Sequence, residues 1–168
     1  SETIRYISLD FMIANDYTGW FLDYSRVGGW AKKDAIIQLR RSYASKPVKM
    51  WKKLTDKKLH KEWYDEIEKK SATDDSLALL NPHGYLPGLS KRIYYKACNR
   101  LLDSLKSQGL EGNELRINFI STFETARVNS SIFAHEGRHV IDKNIRKFPA
   151  KELEFRAKLS EMYFTPYP

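Results

Sequence analysis

The chain has 168 residues, 42% of them hydrophobic and 30% charged, with a formal net charge of +8. That length predicts one domain, 1–168, able to bury a core without staples, and the composition excludes a disordered chain. A basic balance admits nucleic acid, an anionic surface or acidic substrates as partners, so the position of the charge has to decide.

The opening SETIRYISLD has no basic n-region and no long apolar stretch, and no run reaches the ~20 apolar residues of a membrane span. A soluble protein without a targeting signal is expected. The chain lacks an initiator Met, which reads as a processed form or an excised part of a longer chain. Residues from about Ile4 to Tyr24 mix strand and helix signals, with Phe11, Met12, Trp20 and Phe21 suggesting a helix on the core. Gly28-Gly29 breaks the chain. WAKKDAIIQLRRSYA then places Ile36, Ile37, Leu39 and Tyr43 near helical spacing, and Lys46-Pro47 is the expected end of that helix.

KMWKKLTDKKLHKEWYDEIEKK carries an apolar stripe of Trp51, Leu54, Leu59, Trp63 and Ile67 among lysines. Lysines interleaved with Trp and Tyr suit a nucleic-acid surface. They equally suit the solvated face of an amphipathic helix, and Asp56, Glu62, Asp65, Glu66 and Glu68 dilute the charge in favour of that reading. SATDDSLALLNPHGYLPGLS is turn-rich, with a loop expected at Asn81–Gly88. SKRIYYKACNRLLDSLKSQG predicts a helix with Ile93, Ala97, Leu101 and Leu105 on one face and Gly109 at its end. Cys98 lies inside it as a buried thiol; as the lone cysteine it excludes an internal disulfide or a Cys-rich zinc site. EGNELRINFIST alternates Leu115, Ile117 and Phe119, the best strand pattern in the chain and a plausible edge for an extended peptide. A long helical pattern runs through TARVNSSIFAHEGRHVIDK, and a last helix, AKELEFRAKLSEMY, follows Phe148-Pro149.

Of the 4 histidines, His135 and His139 stand four apart with Glu136 between them. On a helix, four residues amount to ~40° of rotation and ~6 Å of rise, so both imidazoles leave one face. They can hold one ion about 2.0–2.1 Å from each nitrogen. Glu136, ~100° round from His135, is displaced from that shell and suited to a general base. Gly137 is a poor helix residue that permits close approach of a neighbour. A catalytic zinc needs a third protein ligand. Glu152, Glu154 and Glu161 on the last helix are the candidates. Asp142, near one turn beyond His139, is a candidate to orient it.

HEGRH followed by Glu154-Phe155-Arg156-Ala157 resembles the gluzincins, the zincin clan that includes thermolysin, over about the last forty residues. The resemblance implies a mainly α (α+β) zincin-like domain with a small β-sheet beside the HExxH helix. It implies zinc held by His135, His139 and Glu154. It further implies hydrolysis of a peptide or protein substrate by a zinc-bound water that Glu136 activates, and Ala157 as the small residue that lets the two helices approach. Lys158 departs from the acidic or amide residue common in the clan just after that alanine. Transition-state partners are sought among Tyr163, Tyr167, His83, Tyr85 and Arg127. The alternatives are a non-catalytic zinc-binding domain of the same fold and a basic nucleic-acid-binding module; on the peptidase reading no nucleic acid is expected as a partner.

Overall fold

The computed structural model describes residues 3–9, 29–32, 34–80 and 86–164. These form a mainly helical protein with a small sheet. In chain order they are β1 (Arg5–Leu9), β2 (Gly29–Ala31), β3 (Ala35–Leu39), α1 (Arg40–Thr55), α2 (Lys57–Ser71), α3 (Asp74–Leu80), α4 (Pro87–Ser107) and α5 (Gly112–Val128). A π-helical segment, π1 (Asn129–Glu136), then leads into α6 (Gly137–Ile145), and α7 (Ala150–Phe164) follows. Among the described residues no helix is long and apolar enough to cross a membrane. The chain divides into two compact units, residues 1–47 with 121–168, and residues 48–120. Phe11, Met12, Trp20 and Phe21, expected on a helix, lie outside the described residues.

The first unit holds the sheet. β3 is central, parallel to β1 and antiparallel to β2. Ala35, Ile36, Ile37 and Gln38 are all buried, and the β-branched pair on a fully covered strand explains why AIIQL is extended. The expected helix over WAKKDAIIQLRRSYA is therefore corrected: a short apolar run fits a buried strand and a helix equally until its neighbours are known. Nor does a helix stop at Lys46-Pro47, since α1 runs on through Pro47 to Thr55. Pro47 is fully buried, and that packing offsets the hydrogen bond its ring removes. Ile36 meets Ile132 of π1 and Val140 of α6, with Ile4, Ala31 and Val128 packed around them. The sheet thus lies directly beside the HEGRH helix.

In the second unit the lysine-rich stretch divides at Asp56, whose carboxylate accepts from the Lys58 and Leu59 N–H groups and caps α2. Trp63 and Ile67 are buried, Trp63 edge-on to Tyr95 and Trp51 against Phe119. Trp63 fills the core, Trp51 is half-buried, and most lysines of this stretch are exposed. Asp74 accepts hydrogen bonds from the Gly88 and Leu89 N–H groups at 3.0 and 2.6 Å, capping α4 from outside it. Of the expected loop, residues 81–85 lie outside the described residues, and Pro87 and Gly88 form the first turn of α4. The buried face of α4 is Cys98, Leu102 and Leu105, while Ile93 is exposed. Gly109 follows α4 at φ 81°, the left-handed position a helix end favours.

EGNELRINFIST is helical, not a strand. Leu115, Phe119 and Phe123 are buried four residues apart while Ile117 is exposed. Leu115 and Phe119 fit both the two-residue and the helical period, and burial selects the helical one.

Two glycines separate close approach from tolerance. A Cβ on Gly88 would lie 2.4 Å from Ser71 Cα, whereas one on Gly137 would rest 3.8 Å from Ile36 Cδ1. Gly88→Ala is expected to cost about 1–3 kcal/mol because the clash is with backbone. Gly137→Ala is expected to gain up to about 1 kcal/mol of helix propensity. Denaturant midpoints of the two variants check both signs.

Candidate metal centre

All the residues of the site belong to the first unit. His135 and Glu136 end π1, and His139 opens the α6 run. The π-to-α junction therefore falls inside the motif; π turns are rare and concentrate at functional sites. His135 Nε2 and His139 Nε2 stand 3.1 Å apart with their rings at 86°. Glu154, on α7, brings Oε1 to 3.3 Å from His139 Nε2 and Oε2 to 3.6 Å from His135 Nε2.

Ligand atoms about 2.0–2.1 Å from an ion at tetrahedral angles stand about 3.3–3.4 Å from one another. The imidazole nitrogens at 3.1 Å and the nearer carboxylate oxygen at 3.3 Å from His139 come close to that value, and one ligand atom from each of the three residues lies within 4.8 Å of the others. Two imidazoles and a carboxylate are also a donor set that zinc accepts, with room for a fourth position. Ala157 is fully buried one turn from Glu154.

The other two carboxylates on α7 do different work. Glu152 faces Arg146 at 3.8 Å. Glu161 accepts from His135 Nδ1 at 2.6 Å and from Lys158 Nζ at 2.8 Å. Burial would raise the Glu161 carboxyl, but the His135 and Lys158 hydrogen bonds outweigh it and hold the group below its ordinary value. A carboxylate on the outer nitrogen of a ligating imidazole fixes its tautomer and leaves Nε2 free to bind. The sequence carried a signal for this role: Glu161 lies two turns from Glu154 on the same face. Lys158, at the position where the resemblance wants an acid or amide, instead salt-bridges Glu161.

Asp142 does not orient His139. It is fully buried, and Arg138 and Arg156 take its carboxylate. Among the described residues, His139 Nδ1 is buried without a hydrogen-bond partner. Burial, then the nearby His135, hold the His139 imidazole below its ordinary value, with Glu154 opposing.

Glu136 is half-buried beside the triangle. Burial pushes its carboxyl up, opposed by His135, by a hydrogen bond from the Ala31 backbone and by Lys143. Lys143 Nζ donates to the Ala31 carbonyl at 3.1 Å. The end of β2, an edge of the sheet, is thereby tied to the motif helix. Among the residues considered for transition-state stabilisation, Tyr163 is exposed and packs on Phe164, and Arg127 is half-buried on α5. His83, Tyr85 and Tyr167 lie outside the described residues. No known protein family, curated protein or solved structure matches this chain.

Ligation requires a neutral imidazole. Burial holds the His139 imidazole below its ordinary value, so in the metal-free protein it is expected to stay neutral to more acid pH than a free imidazole, which an NMR titration of His139 checks. A His139 that titrates above the ordinary imidazole value would contradict this. In metal-free protein the unfolded chain binds the extra proton first. The stabilising contribution of His139 is therefore full above 6.5 and lost as pH falls through the folded value.

Proposed function

We propose that the chain is a zinc-dependent metallopeptidase, with His135, His139 and Glu154 as ligands and Glu136 as general base. The observation that carries this reading is the convergence of two imidazoles and one carboxylate: His135 Nε2 and His139 Nε2 stand 3.1 Å apart, Glu154 Oε1 lies 3.3 Å from the second and Glu154 Oε2 3.6 Å from the first, and one ligand atom from each residue lies within 4.8 Å of the others. The gluzincin resemblance of HEGRH and ELEFRA gains support from it, since Glu154 and neither neighbouring glutamate meets both imidazoles. A zinc ion held there supplies a Lewis acid that polarises a carbonyl and acidifies water.

The rest falls to the chain. Glu136, its carboxyl raised by burial, is matched to accept a proton from the attacking water and return it to the leaving amine. Glu161 holds His135 in the tautomer that keeps Nε2 unprotonated. The expected substrate edge, EGNELRINFIST, is a helix; of the two edges of the sheet, β2 is the one tied to the motif helix, which makes it the edge for an extended peptide. Glu136 and Lys143 engage Ala31 of that edge, and a peptide main chain pairing at Ala31 exchanges with them.

Protein purified without added metal is expected to carry one zinc per chain by elemental analysis, and to cleave a peptide library. Glu136→Gln is expected to keep the zinc and lose about 10²–10⁴-fold in turnover. Glu154→Ala is expected to lose the zinc. Zinc with no hydrolysis in the parent would leave a non-catalytic zinc-binding domain, and absence of zinc would sink both.

A further inference from the structure

Beside the metal triangle lies a second polar cluster that the chemistry above does not use. Asp142 sits on α6 three residues after His139, and it is 0% exposed. Arg156 sits on α7 two residues after Glu154. Its Nε donates to Asp142 Oδ2 at 2.8 Å and its Nη2 to Oδ1 at 2.9 Å, a fork gripping both carboxylate oxygens. Arg138 approaches the same carboxylate, with Nε 3.0 Å from Oδ2 and Nη2 2.7 Å from Oδ1. Arg156 also lies over the buried Phe148 ring at 4.6 Å, and Arg146 lies over it at 4.4 Å. Phe148 belongs to the short connection between the two helices. The one guanidinium of Arg156 therefore touches α6 and the connection at once.

A buried ion pair is a weak source of stability, since well-packed apolar residues often do as well or better. What the bidentate pair adds over apolar packing is direction and register. Register matters here. A slip of one residue along a helix moves a side chain about 1.5 Å, whereas ligand distances tolerate only about 0.2 Å. The pair lies within one turn of a ligand on each helix, so it acts where a slip would be felt.

We propose that Arg156 is a positioning residue of the metal centre: its grip on Asp142, braced on Phe148, fixes α7 against α6 and delivers Glu154 to His135 and His139. This rests on the reading of those three residues as ligands. Arg156→Lys is the informative change. Lysine keeps the charge but has neither the fork nor the plane. Arg138 still partners Asp142, so the carboxylate is not abandoned.

Metal-free parent and variant are titrated with Co²⁺ and with Zn²⁺ against a chelator, and their unfolding midpoints are compared. The parent is expected to give the intense visible bands of tetrahedral Co²⁺. Arg156→Lys is expected to fold with a similar metal-free midpoint, to bind Zn²⁺ about 10–100-fold more weakly, and to shift the Co²⁺ bands. Arg146→Lys, which alters the other guanidinium over Phe148 without touching Asp142, is expected to keep the parent's affinity. Should Arg156→Lys fail to fold, Phe148→Leu removes the brace while leaving the ion pair, and weaker Zn²⁺ binding with shifted bands is again expected. Parental affinity and spectrum in Arg156→Lys, or in Phe148→Leu where that stands in, overturns the proposal alone. So does an equal loss in Arg146→Lys, which would mark a general loosening around Phe148 that owes nothing to the fork on Asp142. A parent that binds neither metal overturns this proposal and the metallopeptidase reading together.

Discussion

The contact on which the first unit turns is apolar and lies far apart in sequence. Ile36 from the central strand meets Ile132 and Val140 from the two sides of the π-to-α junction. Fully burying aliphatic side chains of this size is worth roughly 1.5–3 kcal/mol each, and no charge pair in the neighbourhood competes with that as glue. The consequence is directional. Once the apolar side of the motif helix is committed to the sheet, its imidazoles are left for α7. The edge strand β2, carried by β3, is left beside Glu136. A hydrophobic contact thus decides which polar groups can meet.

The polar side obeys a different rule. Buried donors and acceptors need partners, and a half-satisfied cluster costs more than an apolar one. Asp142 is satisfied completely by two guanidinium groups. His135 Nδ1 is satisfied by Glu161. The inner face is not settled in the same way: two imidazole nitrogens face each other at 3.1 Å with a carboxylate 3.3 and 3.6 Å away. A single shared proton can bridge two of these groups, whereas a cation can bridge all three, and this inner face, with the unpartnered His139 Nδ1, is what the described residues leave unbalanced in this cluster.

How much of this could be read in advance follows from how local each cause is. The pair His135 and His139 needs only one helical turn, so their shared face was legible from spacing alone, whereas the choice of Glu154 among the three glutamates of the last helix came from the resemblance of ELEFRA to the gluzincins. Cys98 and Gly109 were legible from local pattern as well. AIIQL was not, because a short apolar run takes its conformation from the strands that flank it, and those are contributed from elsewhere in the chain. Leu115, Ile117 and Phe119 misled because positions 115 and 119 satisfy both periods, and only the exposure of Ile117 separates them. Asp142 misled because proximity along the helix to His139 says nothing of Arg156, which arrives from the next helix. The π segment has no compositional mark at all.

The edge of the sheet ties these strands of reasoning together. An edge strand with free N–H and C=O groups is a hazard that folds must blunt by covering or charging it. Here the covering is supplied at Ala31 by Glu136 and Lys143, both on the stretch that carries the imidazoles. The Glu136 carboxylate is therefore held by the backbone of β2 as well as by the helix that bears it. Two anchors fix a side chain in a way that one rotamer cannot, and burial with a raised proton affinity comes with that position. The atoms that cover the β2 edge at Ala31 thus belong to the same helical stretch that carries His135 and His139.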